Sequence, residues 1–152
     1  MVRWFGWAML AVLVLCSGCR TAPPLFTGPG SDWKIQQGQA LWRPRKGMPE
    51  LGGDLLLATD AQGRALIEFS KPPITMVTAQ TDGRRWWIGF PARGWSFSGG
   101  GEPPSRFAWA QVLAALAGRD LAAGSRFERR PEGAWRWENP ATGETVEGFL
   151  AP

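Results

Sequence analysis

Residues 65–90 read ALIEFSKPPITMVTAQTDGRRWWIGF, and the class of the fold is decided there. Ala65, Ile67 and Phe69 alternate with Glu68 and Ser70, the two-residue period of a half-buried strand. Lys71-Pro72-Pro73 interrupts the run, and residues 74–81 resume it. Asp82-Gly83 is a tight-hairpin dipeptide, because glycine adopts the positive φ that such turns demand. Trp86, Ile88 and Phe90 then alternate again. Turns this short cannot hold a crossover helix, so these strands are antiparallel neighbours.

The pattern extends in both directions. Upstream, residues 51–59 form a strand, and Asp60-Ala61-Gln62-Gly63 turns it into the next. Residues 33–42 start with Trp33 and Ile35 in phase, then shift to Ala40 and Trp42; a bulge at Gly38 is the expected cause. Downstream, residues 91–94 turn into a sixth strand at residues 95–98. The period then changes. Trp109, Val112, Leu113 and Leu116 recur at helical spacing over residues 105–117, with Ser105 placed to cap the start and Gly118 to end the helix. Residues 126–130, 135–138 and 145–150 predict three more strands. The expected order is six strands, one helix and three strands in an antiparallel meander.

The beginning of the chain has a different character. Arg3 precedes an uncharged apolar run at residues 7–15, which falls short of the ~20 residues a spanning helix needs. The sequence Leu15-Cys16-Ser17-Gly18-Cys19 resembles the lipobox of bacterial lipoproteins, with Cys16 where leucine is usual. That resemblance implies removal of residues 1–18 and acylation of Cys19. More than one acyl chain on a single residue anchors a protein stably. Arg20 stands where an aspartate would retain a lipoprotein in the inner membrane, so the outer membrane, periplasmic face, is the expected location. Residues 19–31 contain Pro-Pro and Gly-Pro-Gly without periodicity and read as a lipidated tether. The domain proper is expected over residues 32–152.

Composition excludes much chemistry. The 152 residues include no histidine, and both cysteines precede residue 20. A His-based triad, a His metal ligand and a thiol nucleophile in the domain are therefore ruled out. A net charge of +4 gives no argument for nucleic acid. The stretch Gly94-Trp95-Ser96-Phe97-Ser98 superficially has the form of a nucleophile elbow but lacks the final glycine and any base. The pairs Glu144 with Glu147 and Glu128 with Glu132 lie on strand ends and turns among arginines, where solvated charge is the ordinary role. No enzymatic activity, cofactor or metal is expected. Ten tryptophans, of which Trp4 and Trp7 fall in the leader, exceed what a core of this size requires. They predict either an apolar cavity for acyl chains or a stacking platform for glycans. The aliphatic and phenyl neighbours of Trp86, Trp95 and Trp109 favour the cavity.

The order of these elements resembles the LolA/LolB lipoprotein carriers, and LolB in particular. Trp33-Lys-Ile-Gln-Gln-Gly38 is similar to the family's first strand, and Gly52-Gly-Asp-Leu-Leu-Leu57 to its second. Phe69-Ser70-Lys71-Pro72-Pro73-Ile74 is similar to the turn between its third and fourth strands, and residues 109–121 to its late helix and exit. The resemblance implies a mainly β (α+β) fold: a curved antiparallel sheet, an unclosed half β-barrel of about nine strands with one covering helix. It also implies a concave side that binds acyl chains or other lipoproteins delivered by a periplasmic carrier. The candidate lining is Ile35, Leu55, Leu57, Ile67, Phe69, Met76, Ile88, Phe90, Trp95, Phe97, Trp109, Leu113 and Leu116. Lys71, Pro72, Pro73 and Ile74 correspond to the family's membrane-facing loop, without its leucine. Two alternatives stay open: a Trp-rich glycan- or peptidoglycan-binding module, and a non-catalytic adaptor of an envelope complex. The adaptor would show a filled interior and an apolar patch outside.

Overall fold

A computed structural model describes residues 21–151 of the chain. The leader, Cys16 and the acylation candidate Cys19 lie outside the described residues. The described residues form a mainly β fold: nine antiparallel strands in one unclosed, curved sheet, with a single α-helix. The strands are β1 (Lys34–Arg43), β2 (Leu51–Thr59), β3 (Ala65–Lys71), β4 (Ile74–Thr81), β5 (Arg85–Phe90), β6 (Trp95–Gly100), β7 (Arg126–Arg129), β8 (Ala134–Asn139) and β9 (Glu144–Leu150). The helix is α1 (Ala108–Leu116). Spatial order is β6-β5-β4-β3-β2-β1-β9-β8-β7. Every neighbour but one is a sequential hairpin; the exception joins β1 to β9, from Gly38 opposite Leu150 to Arg43 opposite Thr145.

Alternation sets the two faces. Leu55, Leu57, Ile67, Phe69, Val77, Ile88, Trp135, Trp137 and Val146 point to the concave side and are buried with Trp109, Val112 and Leu113 of the helix. The helix lies on this face because its apolar stripe and the sheet's inward rows are the largest surfaces the chain must hide from water. The expected glycine at its end is present. Gly118 has φ +75°, its N–H donates to the Ala115 carbonyl (3.1 Å), and the Arg119 N–H donates to Ala114 (2.9 Å). These two bonds satisfy carbonyls that a helix end leaves bare.

Two local expectations are corrected. Ser105 does not cap the helix, which begins at Ala108 after Phe107 with no side-chain cap. Gln111 secures that end instead, its Nε2 donating to the Pro103 carbonyl. Nor is there a bulge at Gly38: β1 runs in unbroken register with β2 from Lys34 to Trp42. The register shift lies between β3 and β4, where Phe69 opposes Val77 and Ser70 opposes Thr75, leaving Met76 as the extra residue. Gly38 answers a different demand. A Cβ there would meet the Phe149 carbonyl oxygen at 1.8 Å, so the close approach of β9 requires its absence.

The phase change in β1 also has a physical cause. Trp33 and Ile35 point to the outer face, while Ala40 and Trp42 point to the concave core. Trp33 is nevertheless buried, because residues 22–33 return across the outer face as a strap. Phe26 packs against Trp33 with ring centroids 5.2 Å apart, and the Arg64 guanidinium lies 5.2 Å from the Trp33 ring. Gln80 holds the strap: its Oε1 accepts from Leu25 N (2.8 Å) and Phe26 N (3.2 Å), and its Nε2 donates to the Phe26 carbonyl (2.9 Å). The Ala22 carbonyl accepts from Trp87 Nε1 (2.7 Å) and Ser96 Oγ (2.9 Å).

Candidate functional site

The concave face under α1 is the candidate site. Of the nominated lining, Leu55, Leu57, Ile67, Phe69, Ile88, Trp109 and Leu113 are buried in one cluster, and Met76, Phe90 and Leu116 pack against it. Its centre is aromatic. Trp109 stacks on Phe69 with centroids 4.7 Å apart, and Trp42 meets both edge-on at 6.0 and 6.3 Å. Ile35 lies elsewhere, while Trp95 and Phe97 oppose Phe90 and Ile88 and share their face but stand at its exposed edge. Ile35 is on the outer face and half exposed, since its parity is that of Trp33 and not of Ala40. Phe97 touches Phe107 at 5.1 Å from the edge strand, and Trp95 stands 56% exposed with the Arg93 guanidinium 5.4 Å from its ring. Lys71, Pro72, Pro73 and Ile74 form an exposed hairpin tip.

Four tryptophans in this interior, Trp86, Trp109, Trp135 and Trp137, bury an indole N–H with no hydrogen-bond partner. A buried donor left without a protein partner costs about 1–3 kcal/mol. Beside the helix, a cavity of about 240 Å³ opens between Trp86, Ala110, Leu113 and Ala114 on one side and Gln80, Thr81 and Arg119 on the other. The Arg119 guanidinium donates to Thr81 Oγ1 (3.0 Å) and to the Gly63 carbonyl (2.6 Å), tying the helix exit to two turns.

The helix is clamped at both ends by one side chain. Gln111 is wholly buried; its Nε2 donates to the Pro103 carbonyl and its Oε1 accepts from Ala122 N (3.1 Å). Arg129 of β7 adds bonds to the Ala115 (3.3 Å) and Leu116 (3.4 Å) carbonyls, placing positive charge at the helix C-terminus. Gln111 and Gln80 were not singled out by sequence reasoning. Gln111 does carry a signal, being the one polar residue in Ala108–Leu116. Gln80 carries none, because its partners are more than fifty residues away.

The outer face carries two shallow grooves. One, of about 670 Å³, includes Leu41, Gly52, Asp54, Arg130, Glu147 and Phe149; the other, of about 650 Å³, includes Gln37, Leu56, Glu68 and Ser70 and shares Gln39, Asp54 and Phe149 with the first. Leu41 and Phe149 are both exposed there. Among titratable groups, Glu144 is set apart. Burial pushes its carboxyl up to about 7, against a hydrogen bond from Trp42 Nε1 (2.9 Å) and the nearby charge of Arg45. Asp82 has the opposite fate: partial desolvation opposes its charge, but N–H groups of Arg85 and Arg84 and the Arg85 side chain hold it down at about 2. Hydrogen bonds from Arg64 and Gln62 likewise lower Asp60, again against desolvation. Among the described residues no group of three His, Cys, Asp or Glu could hold a metal ion, and no helix is long and apolar enough to cross a membrane.

No model of a known protein family matches the chain, and no curated protein matches it.

Proposed function

We propose that this is a lipid-anchored envelope protein without covalent chemistry, whose half-barrel holds acyl chains or a lipoprotein's lipid between the concave sheet and α1. The observation that carries the reading is an apolar, aromatic interior closed by a single clamped helix. An acyl chain supplies apolar surface, worth roughly 25 cal/mol per Å² buried. The 240 Å³ cavity is smaller than the ~300–1,000 Å³ typical of ligand pockets, so occupation requires α1 to move outward. Anchoring through Cys19 and location at the outer membrane belong to the same proposal and rest on the lipobox.

A second reading has its own support. The interior is filled by the chain's side chains, and Leu41 and Phe149 are exposed beside the outer grooves, the pattern of an adaptor. A glycan platform has less support: Trp33, Trp86, Trp109, Trp135 and Trp137 are buried, and Trp95 is the tryptophan that stands exposed among the described residues.

The test uses the chain secreted to a bacterial periplasm as Cys19→Ala. Organic extraction after denaturation, followed by mass spectrometry, identifies bound lipid. Tryptophan quenching by brominated acyl chains measures affinity. Stoichiometric lipid and saturable quenching support the carrier reading. Absence of both overturns it in favour of the adaptor.

A further inference from the structure

We infer that one end of the sheet, led by the turn between β5 and β6, docks on an anionic lipid bilayer. The inference rests on the proposed acylation of Cys19. The strap fixes where the anchor must emerge. Ala22 is held against β5 and β6 by Trp87 and Ser96, and Cys19 precedes it by three residues. Three residues span at most about 11 Å. A lipid on Cys19 therefore draws this corner of the sheet to the membrane, and the domain cannot swing freely on residues 19–31.

The corner is suited to that surface. Trp95 directly precedes Ser96, stands 56% exposed, and has Arg93 against its ring. Aromatic rings and arginines of this kind settle at headgroup level. Antiparallel order places the β3–β4 tip at the same end of the sheet, with Lys71 exposed and Ile74 53% exposed. The β1–β2 connection leaves from this end as well and carries Arg45, Lys46 and the exposed Met48. Among the described residues Lys71, Arg93, Arg45 and Lys46 have no salt-bridge partner; of the carboxylates at this end Glu50 pairs with Arg43 and Glu144 accepts from Trp42, while Asp54 lies beside Lys71 and Pro72 without such a partner. Free cations interleaved with apolar tips complement anionic headgroups, each cation adding about fivefold to association. The opposite end differs in its apolar content: its turns carry Asp60 and Asp82, each bonded to an arginine, and exposed Arg84, but no exposed large hydrophobic residue.

The experiment uses the full-length acylated protein reconstituted in vesicles of phosphatidylethanolamine and phosphatidylglycerol carrying brominated chains. Two exposed alanines at opposite ends of the sheet are compared as Ala92→Cys and Ala61→Cys, each labelled with an environment-sensitive fluorophore. Mass spectrometry of the same samples reports acylation of Cys19. The expected result is acylated protein with quenching several-fold greater at position 92 than at 61, reduced by Arg93→Gln and Lys71→Gln together. Acylated protein with equal quenching at both ends would overturn the docking geometry and leave the anchor reading intact. Protein without acyl chains would overturn both.

Discussion

Gln111→Met tests how the helix is held. Methionine has nearly the volume of glutamine, so packing against the sheet is preserved and the effect isolates two hydrogen bonds. The Pro103 carbonyl is buried and the Ala122 N–H half-buried, and both lose their partner. Each unpaired group costs about 1–3 kcal/mol, offset in part because no amide is now desolvated. We expect a net loss of about 2–3 kcal/mol. With a urea slope of ~1–3 kcal/mol per M, the unfolding midpoint falls by about 0.7–3 M. The loss is local first. Amide hydrogens of Ala108–Leu116 should exchange about 30- to 160-fold faster, while those of β2 and β3 accelerate only as far as global stability falls. Parent-like midpoint and helix exchange would refute the clamp, and with it the route by which a guest displaces α1.

Glu144→Gln gives a pH signature. The carboxyl ionises near 4.5 in the unfolded chain and near 7 in the folded one, so the unfolded state sheds its proton first and stability falls as pH rises between those values. The burden reaches up to about 3 kcal/mol above pH 7. Glutamine still accepts from Trp42, so the variant should match the parent at pH 4.5 and exceed its urea midpoint at pH 8; a constant difference at both pH values would contradict this. Gly38→Ala pushes a methyl into the Phe149 carbonyl and should cost more than ~3 kcal/mol, read from the same unfolding curve. Gln80→Met removes all three bonds to Leu25 and Phe26, and limited proteolysis within residues 22–33 should accelerate while the sheet stays intact by circular dichroism.

What the sequence determined by itself was local. Strand period, the turns at Asp60–Gly63 and Asp82-Gly83, and the helix end at Gly118 depend on residues within a few positions of one another, and all are found. The rows Ala65-Ile67-Phe69 and Trp86-Ile88-Phe90 were legible as faces for the same reason. Most of the candidate lining followed from them, because a residue on the apolar row of a strand has only one large surface to join. What tertiary structure decided was which face each row joins and what covers the other. Ile35 was read as lining because it follows Trp33 at a spacing of two, yet both belong to the outer face, where Trp33 is hidden by the strap. The phase change in β1 likewise is no local bulge: the strap covers Trp33 on the outer face, and Gly38 itself answers the approach of β9 from the far end of the chain. Gln80 acquires its role only when backbone more than fifty residues away is brought to it, whereas Gln111 bonds backbone just either side of its own helix. A periodic pattern records that a side chain seeks cover; it cannot record which segment, fifty or a hundred residues away, returns to provide it.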